Sequence, residues 1–367
     1  MKAWITIGLL VGLGLSVLPA EGFAARKIRF AHAKKKPKPI KDSELAWKKP
    51  TKTEAQTWIL WGWNKKGYMV SVFLISTRFM FVSRLGVQLT IRMPSGKVKH
   101  LVKEYTMDKV KGKSKRIYLH VAKKHLWDGT QSKGKIAIDY GKWGANLKYR
   151  RILPGYRHMK GPMRMGSGLF NGITFGPKLG VQGSLRINGK TIQFQGFGYS
   201  DYSHQTITPK SLARRWYAAR ATGSEYTVLA HHLLTINKWK PYSLPGLSIA
   251  RGDKWLFVSL PRHIRYFRAY HILKDKKAKY KVPMRVLYKA KGDDGTRYKV
   301  DIKHTKQYVR LDLLGHVNPF IKFFIKRLLS NPFVFRYKAN LALTIKRKGA
   351  PTIRRQLTAY TEWLFVQ

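Results

Sequence analysis

The chain has 367 residues, with 73 lysines and arginines against 17 aspartates and glutamates, a formal net charge of +56 and no cysteine. Without cysteine it can hold neither a disulfide nor a lipid-modified cysteine, so the fold must rest on burial. So large a positive excess repels itself and persists where counter-charge is abundant. It points to nucleic acid, anionic lipid headgroups or lipopolysaccharide, or an acidic polymer, or else to a habitat that makes exported proteins basic in general.

In chain order, Lys2 precedes an apolar run from Ala3 to Leu18, followed by Pro19-Ala20 and then Gly22-Phe23-Ala24. This is the layout of a secretory signal peptide cleaved near Ala24. The run of about 16 residues is short for a membrane span of about 20, although an uncleaved anchor is the other reading. The expected location is therefore periplasmic or secreted, and export removes nucleic acid as a partner. Residues 25–53 read as a basic, flexible arm that includes Lys34-Lys35-Lys36-Pro37-Lys38-Pro39, either a pin on an anionic surface or a solvated tether. About 340 residues follow Ala24, more than one core usually serves, so two domains are expected, at 54–240 and 241–367.

From Gln56 onward the apolar residues alternate with period two, as half-buried strands do. Ile117, Leu119 and Val121 alternate with Tyr118 and His120, and Ile136 and Ile138 with Ala137 and Asp139. Leu185 and Ile187 run into Asn188-Gly189, a hairpin turn signal, and then Ile192 and Phe194. Similar runs recur at 254–260, 283–289, 308–313, 337–345 and 355–365. The pattern predicts an all-β sandwich or barrel. One amphipathic helix is expected over Phe320 to Leu329, with Lys322, Phe323, Lys326 and Arg327 as membrane contacts, or as a cap on a barrel mouth.

Several tempting motifs fail on spacing. Gly112-Lys113-Ser114 and Gly189-Lys190-Thr191 lack the earlier glycine of a phosphate loop, with Met107 and Ser184 in its place. His231 and His232 would face opposite sides of a strand, which argues against a metal pair. Asp293-Asp294-Gly295 reads as a turn, and no Gly-x-Ser-x-Gly elbow occurs. No metal site and no cofactor is expected.

The most distinctive stretch is Val181 to Arg220. It holds Gly196-Phe197-Gly198-Tyr199-Ser200-Asp201-Tyr202-Ser203-His204, then Pro209, then Arg215-Trp216-Tyr217 and Arg220. This resembles the lipocalin-like superfamily that joins the carotenoid hydratase CrtC, AttH and the fungal survival-factor proteins, whose hallmark is similar to Gly-x-Gly-Tyr-His-Asp-His-Asn-Trp-Gly. Thr358 to Phe365, with Glu362, resembles the closing strand, and Trp58 to Ser76 the opening hairpin. The resemblance implies two consecutive lipocalin-like β-barrels and an apolar ligand, with Tyr199, Tyr202, Trp216, Tyr217, Arg220 and Glu362 as ligand contacts. Ser200 and Tyr202 replace the two histidines around the motif's Asp, and Ser203-His204-Gln205 replaces Asn-Trp-Gly.

Two functions follow as expectations. The first is an exported protein that binds or transfers a lipid or isoprenoid at an anionic membrane surface. The alternative is a hydratase, isomerase or cyclase with Asp201 as general acid and His204 as its partner. The favoured reading of Asp201 itself is a hydrogen-bond anchor closing the barrel beside Arg220, ahead of catalysis.

Overall fold

Branched and aromatic side chains at alternate positions favour pleated backbone with one face buried, and that is how this chain is built. The computed structural model describes residues 29–30, 39–51, 53–79, 82–157, 161–165, 167–207, 209–236, 243–312 and 332–366. Among them the strands form two sheets, one in each of two units, Met1–Ser211 and Leu212–Gln367.

The first sheet has 14 strands. In chain order they are β1 (Arg29–Phe30), β2 (Glu54–Trp63), β3 (Met69–Phe79), β4 (Val82–Arg92), β5 (Val98–Thr106), β6 (Val110–Gly112) and β7 (Ile117–Val121). There follow β8 (His125–Gly129), β9 (Lys133–Tyr140), β10 (Trp143–Leu153), β11 (Tyr156–Arg157), β12 (Met163–Met165), β13 (Gly168–Ile187) and β14 (Lys190–Gln205). The β13–β14 hairpin turns at Asn188-Gly189, whose φ angles of 51° and 85° are those the two-residue turn requires. β14 returns to pair with β2, so the meander nearly closes into a barrel, its free edges β5 and β6 joined by the 3-10 turn Met107–Lys109. Trp58, Leu60, Trp127, Phe175 and Phe194 fill the core.

Part of the expected flexible arm is docked on this unit. Leu45 and Ala46 are fully buried. The Trp58 indole donates to the Leu45 carbonyl at 2.7 Å, and the Trp47 indole to Ser76 Oγ at 3.0 Å. Glu44 pairs with Arg157 at 2.6 Å, and the Gln131 N–H donates to Asp42 at 2.8 Å. Sequence composition exposed the lysines and prolines of this segment but hid the apolar Leu45-Ala46-Trp47, whose burial outweighs the repulsion.

The second sheet has nine strands: β15 (Ala213–Thr222), β16 (Tyr226–Thr235), β17 (Ser243–Arg251), β18 (Lys254–Val258), β19 (Ile264–Lys274), β20 (Lys281–Lys291), β21 (Arg297–Asp312), β22 (Phe333–Lys346) and β23 (Ile353–Phe365). It repeats the logic of the first: four strands out, a 3-10 turn (Pro261–His263), then strands back, with the last pairing with the first. The result is a half-barrel with β18 and β19 as its edges. The unit begins at Leu212, well before the expected boundary at 240, because β15 and β16 pair into this sheet and not with β14. The amphipathic helix expected over 320–329, with Lys322, Phe323, Lys326 and Arg327, lies outside the described residues, as does the expected signal peptide.

Candidate functional site

The central motif becomes β14, and its pairing with β2 runs unbroken from Phe197↔Trp63 to Gln205↔Ala55. With no bulge there, odd and even residues face opposite ways. Tyr202 packs in the core against Trp58, with ring centroids 5.3 Å apart. His204 shares that face and bonds Glu54 at 2.8 Å. Asp201 and Tyr199 take the other face, where the Tyr199 hydroxyl bonds Thr174 at 3.1 Å. The structure therefore does not bring Asp201 and His204 together as acid and partner, since three residues along an unbroken strand separate them by one full face.

The second unit divides the remaining expected contacts in the same way. Tyr217, Ala219 and Ala221 lie in its core, so Trp216 and Arg220 occupy the other face of β15. Glu362 shares that outer face on β23 and bonds Arg336 of β22 at 2.6 Å. Arg220, Arg336, Glu362 and Tyr360 all bear electrostatically on the Tyr308 hydroxyl, which burial pushes above its ordinary value. This cluster ties β15, β21, β22 and β23 together. Asp201 lies on the first unit's β14, and Arg220 on the second unit's β15.

The inward face of the half-barrel has a different character. Across three neighbouring strands the register aligns His232, Tyr217 and Trp363, and Phe335 follows on β22. Phe267 stacks on the His232 ring at 4.1 Å, Tyr217 lies 4.4 Å from Trp363, and His304 stacks on Tyr337 at 4.9 Å. Burial pushes His232 down to about 3 and His304 down to about 4, so both imidazoles are neutral. The same burial holds the Tyr217 and Tyr288 hydroxyls well above their ordinary value. His304 Nδ1 faces the Pro283 carbonyl at 3.0 Å and must carry the proton. Its Nε2 then accepts from the Tyr217 hydroxyl at 3.4 Å. His232 Nε2 meets Ser243 Oγ at 2.8 Å.

The first unit holds a comparable buried trio, but it is internally satisfied. The Asp139 N–H donates to His125 Nδ1 at 3.2 Å, so His125 Nε2 donates to the Tyr105 hydroxyl at 2.6 Å. Tyr140 in turn donates to the Val87 carbonyl at 2.7 Å. Such closure leaves little for a ligand to bond.

Of the expected site residues that are described, only Tyr217 falls on the aromatic inward face of the second unit. Arg215, His232, Phe267, His304 and Trp363 were missed as site residues. Their signal is present, since Arg215 is two residues from Tyr217 and Trp363 one from Glu362, but alternation names two faces without saying which is inside. The opposition of His231 and His232 held, and it is the inward one, His232, that matters.

The geometry has clear relatives. The model of the Svf1 family matches residues 21–367. The ceramide-binding protein svf1 of Schizosaccharomyces pombe is 23% identical over 200 residues, 53% of this chain and 52% of that protein, so the chain spans about half the length of this curated relative. An AttH-type protein from Nitrosomonas europaea superposes with a TM-score of 0.56 at 14% identity, over 85% of this chain and 92% of that one. CghA with Sch210972 gives 0.58 at 13% identity, over 86% and 88%. Kievitone hydratase from Nectria haematococca gives 0.52 at 12%, over 85% and 89%. Identities this low speak to the fold alone, and the fold is the lipocalin-like one that the central motif implies. Matched over nearly its whole length, the chain belongs to the Svf1 family.

Proposed function

We propose that this protein binds a long-chain lipid of the ceramide class and moves it to or from an anionic membrane outside the cytosol. The observation that carries the reading is the inward face of the half-barrel, where Tyr217, Phe267, Phe335, Tyr337 and Trp363 offer an aromatic wall interrupted by neutral imidazoles. Apolar walls with a few placed polar groups are how proteins hold chain-like ligands. The ceramide-binding relative supports the lipid class.

Membrane contact has its own support. Leu256, Val258, Tyr266, Ile272 and Leu273 are exposed large apolar side chains, all on the edge strands β18 and β19. Lys254, Arg265, Arg268 and Lys274 stand exposed among them. Apolar residues among cations suit an anionic headgroup layer, and so does the net charge of +56. The apolar leader supports export.

Organic extraction of the purified protein, followed by mass spectrometry, tests the lipid reading; repeated preparations without a long-chain lipid, and no uptake from ceramide-doped vesicles, would end it. Sedimentation with anionic vesicles should weaken as salt rises, and binding indifferent to salt would remove the electrostatic docking. A mature N-terminus other than Ala25 would count against cleavage after Ala24. A hydratase is the second reading, since a kievitone hydratase shares the fold, but it needs a proton donor with a positioned partner, and Asp201 and His204 lie on opposed faces of β14.

A further inference from the structure

Three polar atoms on the inward face of the second unit have no hydrogen-bond partner among the described residues: Trp363 Nε1, His232 Nδ1 and Arg215 Nε. Trp363 is fully buried and His232 is 2% exposed, so water offers them little. Buried polar atoms are almost always paired, and each exception asks for an explanation. These three belong together. His232, Tyr217 and Trp363 are direct register neighbours on β16, β15 and β23. Arg215, two residues along β15 from Tyr217, places its guanidinium 5.7 Å from the centre of the Trp363 ring. Its charge also reaches His232.

The chemistry of the row is specific. The indole N–H and the guanidinium N–H can only donate, so they call for an acceptor oxygen. Beside Trp363 in the register, the Tyr217 hydroxyl spends its proton on His304 Nε2 and keeps its lone pairs to accept. Donors beside an acceptor suit a secondary amide, which offers a carbonyl oxygen to the donors and an N–H to the acceptor. An ester supplies the carbonyl without the N–H, and a carboxylate supplies oxygens alone. Phe335 and Phe365 continue the face as apolar wall.

We infer that the row Arg215, Trp363, Tyr217 and His232 is the headgroup subsite of this protein, and that it selects an acyl amide. The carbonyl oxygen takes the Trp363 and Arg215 donors, and the amide N–H bonds the Tyr217 oxygen. His232 Nδ1 is left to meet a neighbouring hydroxyl. The inference rests on the lipid reading above and adds to it the place and chemistry of recognition.

The test uses the full chain and vesicles doped in turn with a ceramide, a diacylglycerol of matched chains, and a free fatty acid. Wild-type protein should extract ceramide about tenfold better than the other two. Trp363→Phe keeps an aromatic ring and removes the N–H, and should lower ceramide uptake about tenfold. Tyr217→Phe keeps the ring and should erase most of the preference for amide over ester, a ratio that a merely structural role for the hydroxyl would leave unchanged. If Trp363→Phe does not fold, Tyr217→Phe decides alone. Uptake and preference equal to wild type in the folded variants would overturn the subsite while leaving the lipid reading intact. Preference for the fatty acid would overturn the amide assignment. A wild-type protein that extracts none of the three would overturn the lipid reading itself.

Discussion

Glu362 holds the outer-face cluster of the second unit together, and replacing it should show how strongly. Its carboxylate bonds Arg336 at 2.6 Å, with side-chain exposures of 18% and 6%. Of the charged groups bearing on the Tyr308 hydroxyl, two are guanidiniums, Arg220 and Arg336, and one is the Glu362 carboxylate. Glu362→Gln keeps the shape and leaves both cations without it. Breaking a buried pair by removing one partner costs about 3–5 kcal/mol, and the partial exposure of Glu362 argues for the lower end, about 3 kcal/mol. For a unit the size of Leu212–Gln367 that lowers Tm by about 6–12 °C. The double variant Arg336→Met/Glu362→Leu removes the charge together with its partner and should lose less than the single one. Thermal unfolding followed by far-ultraviolet circular dichroism reads both. A single variant within about 1 kcal/mol of wild type, or a double variant worse than the sum of its parts, refutes the buried-pair account.

Acid should destabilise this protein earlier than its carboxylates alone require. Burial lowers His125 and His304 to about 4 and His232 to about 3, whereas the unfolded chain protonates them near 6.5. Their contribution is therefore complete above about pH 6.5 and is lost as pH falls toward 4, by at most about 2 kcal/mol each at pH 5. Urea titrations at pH 7.5 and 5 should show a falling midpoint, and His232→Phe should flatten the dependence; an unchanged midpoint counts against it. Gly246→Ala should cost about 1–3 kcal/mol, because a Cβ there would lie 2.0 Å from the His231 ring on the neighbouring strand. A neutral result in chemical denaturation would show that the ring moves freely. Trp58→Phe removes the bond to the Leu45 carbonyl and should speed proteolysis within 39–51 before the barrel unfolds, whereas unchanged cleavage would mean the segment is held by other contacts.

Strand existence was legible in the chain itself. The period-two runs expected at 117–121, 254–260 and 355–365 fall on β7, β18 and β23, and Asn188-Gly189 is a hairpin turn, because these follow from neighbours a few residues apart. Gly112 ends β6, and Gly189 links β13 to β14. The central motif pointed to the fold because its glycines and aromatics recur together in the lipocalin-like family. Much less of the site could be read. Tyr199 and Tyr202, or Trp216 and Tyr217, are equally aromatic pairs on adjacent positions, and both faces of these strands carry large side chains. Which face is inward depends on how the sheet curls, and no local pattern states that.

What the sequence determined alone is the charge, the absence of cysteine, the apolar run from Ala3 to Leu18 and the alternation that makes nearly every segment a strand. What only the tertiary structure decided is the closure. β15 pairs with β23 across some 140 residues of chain, and that pairing moves the unit boundary to Leu212, assigns Asp201 and Arg220 to strands of different units, and sets Trp363 beside Tyr217 and Tyr217 beside His232. Register between strands so distant is fixed by burying one face of the whole sheet at once, a cooperative property that no single stretch of sequence contains.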